Sequence, residues 1–326
     1  MSVPKKCRAD SMAFFGLQAK PPVFDPSKRP ALSLALLTSV PPFVQDFEAA
    51  LAAHRAFRQQ ALSNAGVHEV LTRGDLYDDA PENIGLLFGL QHAPTGLTQE
   101  RVRQLYGAGV RTMGIAYDGP TEYGDGFKGD GPLTKRGIDL LGWLGECGII
   151  LDLSHAGYRT TMDALTVASS VTGPEVMASH SGSYEVYPHP RNLRDDTIRQ
   201  LDLLGGYIGV PTVTFLLTRE GGHYLESFVR HIVHITGICG HDRGVGIGSD
   251  CNHLDMTMEE ARAHFQNMTR MLKTGGSFGE YFPDRPPELI VNGSNLFDVL
   301  EETLAHFSSG ILGKNFEHFL QLALRA

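Results

Sequence analysis

Short apolar runs alternate with amphipathic segments along almost the whole chain, and that alternation constrains the fold more than any other feature. The runs are Met12–Leu17, Leu32–Ser39, Ile84–Gln91, Thr112–Tyr117, Ile149–His155, Val176–His180, Tyr207–Val210 and Val245–Asp250. They carry few charges, as expected of parallel strands buried on both faces. Between them the helical pattern recurs over Val44–Ala65, Gln99–Ala108, Thr134–Glu146, Arg159–Ser170, Asp195–Leu204 and Tyr224–Thr236. Thr98 stands before Gln99-Glu100-Arg101 and Thr134 before Lys135-Arg136, each placed to cap a helix start. Eight strand–helix units predict an α/β chain closed as a (β/α)8 TIM barrel. A doubly wound sheet is the alternative, but no G-x-G-x-x-G follows an early strand, and Gly221-Gly222 and Gly275-Gly276 are isolated pairs.

The expected organisation is a single domain over 1–326, with an N-terminal extension at about 1–11. Loop insertions are expected at about 118–132 and 272–287, with a further one near Phe215–Gly222. The net charge of −9 and the lack of a Lys/Arg-rich run argue against nucleic acid as a partner. The four cysteines, Cys7, Cys147, Cys239 and Cys251, form no C-x-x-C pair and exclude a disulfide scaffold. The longest apolar stretches are strand-sized, so no membrane span is expected. The segment Met1–Gly16 lacks the apolar core of a secretory signal, and the expected location is cytoplasmic.

Catalytic groups of such barrels sit at the C-terminal ends of strands. Here the runs close on Gln91, Tyr117, His155, His180 and Asp250. Two imidazoles and a carboxylate at strand ends, which a barrel mouth can bring together, are a donor set for a divalent metal such as zinc. Other features have plain readings beside the functional ones. Arg191 either pairs with Asp195 or Asp196 in the next helix or binds a carboxylate. His92 and His253 read as loop histidines, and His231 and His234 as parts of an outer helix. Cys251 reads as a small filler rather than a nucleophile. The Gly-rich loop Gly119–Gly131, with Glu122, Asp125 and Asp130, is either a rim over the site or a solvated surface.

Five words of sequence carry a family resemblance. They are Leu151-Asp152-Leu153-Ser154-His155, Ser179-His180-Ser181, His189-Pro190-Arg191-Asn192, Val245-Gly246-Ile247-Gly248-Ser249-Asp250 and Asn292-Gly293-Ser294-Asn295-Leu296. In order and spacing, over roughly residues 12–305, the chain resembles the membrane (renal) dipeptidase family of zinc metallopeptidases in the amidohydrolase superfamily. The resemblance implies His155 and His180 as ligands of one metal. It implies Arg191 as the anchor of a substrate carboxylate, with Gln91 and Asn192 beside it, and Asp250 as the acid/base group. Tyr117 is expected to donate to the oxyanion. It also implies a small peptide or amide substrate and a homodimer.

The chain departs from the family pattern at several points. The family's first-strand Gly-His-x-Asp corresponds here to Phe15-Gly16-Leu17-Gln18-Ala19, so that Leu17 and Ala19 replace two ligands. The bridging Glu is Gln91, the next strand's His is Tyr117, and the Phe-Asp-Gly after the aspartate is Cys251-Asn252-His253. These losses point away from a binuclear centre and toward one zinc ion per chain or none. Three readings stay open: a dipeptidase-like hydrolase with one metal-activated water, a metal-poor homologue with a different peptide-tailoring or biosynthetic step, and a non-catalytic pseudoenzyme.

Overall fold

The computed structural model describes residues 7–14, 32–77, 83–170, 172–219, 224–252 and 296–326, with single helical positions between 259 and 270. The Gly16-Leu17-Gln18-Ala19 stretch, His253 and the 272–287 insertion lie outside the described residues.

The eight runs are strands of one parallel sheet. In chain order they are β1 (Ala9–Phe14), β2 (Leu34–Thr38), β4 (Ile84–Leu90), β5 (Val110–Gly114), β6 (Ile150–Asp152), β7 (Val176–Ala178), β8 (Tyr207–Val210) and β9 (Val245–Ile247). A short β3 (Val67–Glu69) pairs with β4 off the main path. Neighbours pair in sequence from β1 round to β9, all in parallel. The chain after β9 continues into β10 (Cys251–Asn252), which pairs in parallel with β1 through Ala13↔Cys251. That pairing brings the last strand back to the first and makes the nearly closed eight-stranded barrel expected of the alternation.

The first strand begins earlier than the apolar run does. β1 starts at Ala9, inside the stretch read as an N-terminal extension, and ends at Phe14. Arg8, Asp10 and Ser11 are polar, yet all three side chains are buried. Asp10 Oδ1 accepts the backbone N–H groups of Met12 (3.0 Å) and Ser249 (2.8 Å), and Oδ2 accepts the Ser249 hydroxyl. A buried carboxylate met by three donors is tolerable where a lone one is not.

The outer helices follow the expected pattern. They are α1 (Phe47–Leu62), α2 (Gln99–Gly107), α3 (Lys135–Cys147), α4 (Tyr158–Ala168), α5 (Asp195–Leu203), the single turn α6 (Thr214–Leu217) and α7 (Tyr224–Cys239). Thr98 and Thr134 cap α2 and α3, each hydroxyl accepting a backbone N–H three residues on. At the bottom of the barrel the helix Asn315–Ala323 seals the interior. Its Phe316, Phe319 and Leu320 pack with Met12, Leu36, Leu87, Met177 and Tyr207, and the Tyr207 and Phe316 rings are 4.9 Å apart. Two glycines allow the strands to approach near the mouth. A Cβ on Gly209 or Gly248 would overlap the Ser179 carbonyl oxygen. The backbone that carries His180 can therefore sit tight against β8 and β9.

Candidate active site

Each strand-end residue singled out by the sequence stands just past its strand. Gln91 follows β4 directly, His180 is two residues beyond β7, and Tyr117, His155 and Asp250 are each three beyond β5, β6 and β9. Arg191 comes from the loop between β7 and α5. The Nε2 atoms of His155 and His180 are 3.0 Å apart, and Arg191 Nη2 is 3.1 Å from His155 Nε2. The Tyr117 ring stacks on His155 with centroids 4.0 Å apart and planes at 19°. Asp250 is close enough to act electrostatically on Arg191 and on Tyr117. Two imidazoles, a guanidinium, a phenol and a carboxyl group thus gather at one mouth.

Burial dominates the electrostatics. It pushes both imidazoles well below the ordinary histidine range, and the neighbouring Arg191 charge pushes the same way. The Asp250 carboxyl rises to about 7, through burial first; Asp10 raises it further and Arg191 partly opposes. Its backbone is also unusual, with φ 55° in the left-handed region. Such strain in a non-glycine residue is often found at functional sites. Burial lowers Arg191 to about 10, with Asp250 pulling it back up. Arg191 is 4% exposed, and its Nη1 has no hydrogen-bond partner among the described residues. A planar donor left unpaired in a buried site suits a carboxylate.

Beside Arg191 lies a cavity of about 210 Å³ lined by Phe127, Leu153, Tyr158, Tyr184 and Arg194. The Gly119–Gly131 loop forms its rim and is not a free surface segment. Phe127 N–H donates to the His155 carbonyl at 2.9 Å, and the Phe127 ring centroid is 6.0 Å from the Arg191 guanidinium carbon. Asp125 Oδ2 closes the loop on itself by accepting Gly131 N–H at 2.7 Å.

The contacts of the other singled-out residues decide between their readings. Arg191 does not pair with the next helix: Asp195 takes His234 and Arg199, and Asp196 takes the Tyr158 hydroxyl. Asn192, expected to bind substrate, uses both amide hydrogens on the backbone carbonyls of Tyr187 and Leu216, and its oxygen accepts Gly182 N–H. It holds the Arg191 loop in place instead. Gln91 donates to the Met12 sulfur at 3.4 Å, so its amide lies against the first strand. Cys251 shares a hydrogen bond with Thr212, and burial pushes its thiol up to about 12, away from thiolate character. His231 is held by Ser183 N–H and the Leu217 carbonyl and is structural. His92 is buried and bonded to the Val44 carbonyl.

The first-strand word also moves. Read on β1, the four positions are Ser11-Met12-Ala13-Phe14, and Met12 stands beside Gln91. A thioether is a poor ligand for a hard or borderline dication. Among the described residues, the imidazoles of His155 and His180 are the donors at the mouth that fit a metal ion. Two imidazole nitrogens 3.0 Å apart are close to the ~3.3 Å expected of two ligands on one tetrahedral zinc. No third His, Cys, Asp or Glu among the described residues comes within 4.8 Å of both. Among the described residues, the one group of three that does meet that distance lies elsewhere: Asp195 on α5, His234 on α7 and Glu185 in the loop before α5.

Sequence reasoning missed the buried carboxylates behind the site, Asp10 and Asp152. The available signal was a charged residue inside an apolar run, as in Leu151-Asp152-Leu153. Asp152 Oδ1 accepts Ser154 N–H, the Ser154 hydroxyl and Ser179 N–H, and Oδ2 accepts the Ser179 hydroxyl.

The strand-end imidazoles and the carboxyl group thus stand at the mouth of a parallel barrel of the (β/α)8 type. The membrane dipeptidase (peptidase family M19) model matches residues 18–277, and the chain belongs to that family. The match begins after β1 has ended, in keeping with the altered first-strand word. An uncharacterized dipeptidase of Schizosaccharomyces pombe is 30% identical over 161 residues, covering 48% of this chain and 38% of that protein. The dipeptidase verJ of Clonostachys rogersoniana is 32% identical over 162 residues, covering 48% and 40%. The matched region thus spans about two fifths of those relatives' lengths. Among solved structures, an amidohydrolase from Pseudomonas aeruginosa superposes with a TM-score of 0.78 at 19% identity, over 98% of this chain and 97% of its own. A metallo peptidase from Rhodobacter sphaeroides, liganded with a phosphinate mimic of the dipeptide L-Ala-D-Ala, gives 0.72 at 18% identity over 97% and 99%. Among the described residues no helix is long and apolar enough to cross a membrane.

Proposed function

We propose that the chain is a dipeptidase-like hydrolase acting on a dipeptide or small amide that carries a free carboxylate. The observation that carries this reading is Arg191: buried, with Nη1 unpaired among the described residues, and placed against His155 in the electrostatic reach of Asp250. Its fork would take the substrate carboxylate and so fix the scissile bond beside the imidazoles. Asp250, raised to about 7, has the acidity to take a proton from the attacking water and return it to the leaving amine near neutral pH. The Tyr117 hydroxyl, kept protonated by burial, would donate to the developing oxyanion. His155 and His180 would hold a single zinc ion, which supplies polarisation of the carbonyl and a more acidic water when bound.

The replacement of a first-strand ligand of the family by Met12, and of its bridging carboxylate by Gln91, favours a second reading: a metal-poor homologue that tailors a peptide by another reaction. Metal analysis with a dipeptide panel separates them. The hydrolase reading expects turnover at about one zinc per chain, lost in His155→Ala. Full dipeptide turnover by metal-free protein, or none by the zinc-loaded protein, counts against it.

A further inference from the structure

We propose that Asp152 and Ser179 are positioning residues that fix the tautomer of His180, keeping its proton on Nδ1 and a lone pair on Nε2 facing the mouth. The argument is one of proton counting. Ser179 Oγ lies 2.5 Å from Asp152 Oδ2 and 2.7 Å from His180 Nδ1. A hydroxyl has one hydrogen and can donate to only one of them. A carboxylate has only acceptors, and two oxygens 2.5 Å apart with no hydrogen between them repel strongly. Ser179 Oγ is also the one hydrogen-bond donor shown on Asp152 Oδ2, whereas Oδ1 already has three. The hydroxyl hydrogen therefore points to Asp152, and Ser179 Oγ accepts Nδ1–H from His180.

The competing arrangement runs Ser154 Oγ–H to Ser179 Oγ, 3.1 Å apart, and then Ser179 Oγ–H to His180 Nδ1. It would leave Oδ2 facing an oxygen lone pair and would also take the Ser154 hydrogen off Oδ1, 2.7 Å away. The rest of the network supports the first arrangement. His180 N–H donates to Ser154 Oγ at 3.0 Å, so the Ser154 hydroxyl is free to donate onward to Asp152. All of these atoms belong to buried residues, so water does not rescue a mismatched donor.

The consequence reaches the mouth. Arg191 can only donate, so its Nη2 contact assigns the lone pair of His155 to Nε2. With His180 set by Ser179, the Nε2 atoms of both histidines, 3.0 Å apart, present lone pairs to the mouth rather than N–H groups. Asp152 thus does for His180, through a serine, what a directly bonded carboxylate does for many metal-ligating histidines. This deepens the proposed function, but its test needs no turnover, so it stands or falls separately from hydrolysis.

The test is long-range ¹H–¹⁵N correlation spectroscopy of histidine-labelled, metal-free protein at pH 8. Wild type is expected to show His180 as the Nδ1–H tautomer. Ser179→Ala should move it to Nε2–H, while Ser179→Thr, which keeps the hydroxyl, should restore Nδ1–H. Zinc affinity, measured by chelator competition, should fall about 10–100-fold in Ser179→Ala. An Nε2–H tautomer in wild type overturns the proposal even if the variants fail to fold. So does an unchanged tautomer in folded Ser179→Ala.

Discussion

Replacing Asp250 by Asn should stabilise the protein at alkaline pH while removing its activity. Burial raises the carboxyl from an ordinary 3.8 to about 7, so the folded state holds a proton that the unfolded chain has already lost. The stability linked to that proton is complete below about pH 4 and is lost as pH rises through 7. A difference of about three pH units corresponds to about 4 kcal/mol at most, and relaxation around the charge would bring it nearer 2. Asparagine suits the φ 55° backbone, since it enters the left-handed region more readily than most residues. The assay is urea unfolding followed by circular dichroism, in chelator, from pH 4 to 8.5. The lowered imidazoles of His155 and His180 bend both curves the other way, destabilising the fold as pH falls below the ordinary histidine range. The variant-minus-wild-type difference is therefore the quantity to read. It should be near zero at pH 4 and reach about 2–4 kcal/mol above pH 8. Parallel curves at all pH values would refute the account of a desolvated carboxyl group.

Other perturbations test other parts of the structure. Gly248→Ala drives a methyl group into the Ser179 carbonyl and should cost about 3 kcal/mol or more in thermal unfolding, whereas Gly107→Ala, with open space around it in α2, should be neutral or stabilising by about 1 kcal/mol. Phe316→Ala empties the seal under the barrel and should cost about 3–5 kcal/mol in urea unfolding with KM unchanged. Arg191→Lys should raise KM about tenfold or more for dipeptides with a free carboxylate and leave carboxamide analogues unaffected, because an ammonium cannot form the two-pronged contact. Equal effects on both substrate types would remove Arg191 from carboxylate recognition.

The alternation of runs located all eight barrel strands, because strands buried on both faces must be apolar through most of their length. It failed where that rule is broken. β1 begins three residues early because Asp10 and Ser11 are polar yet buried, and their partners, Ser249, Ile247 and Ser179, lie far along the chain. β3 was missed because three residues, Val67-His68-Glu69, show too little alternation to register. The strand-end rule found His155, His180, Tyr117, Gln91 and Asp250. It missed Asp152, which lies within its strand and acts from behind the site.

Chain order and residue type were enough to reach a (β/α)8 barrel, the family and the residues that ring its mouth, since periodicity and short motifs are written locally. Whether Asn192 faces a ligand or the backbone, which residue fills the first-strand ligand position, how acidic Asp250 is and where the His180 proton sits all emerged from the folded arrangement. Those properties depend on burial and on the direction of hydrogen bonds between segments that are more than a hundred residues apart in some cases, as Ser249 and Asp10 are. No local pattern records them, because desolvation and proton placement exist only once the chain has closed around the groups concerned.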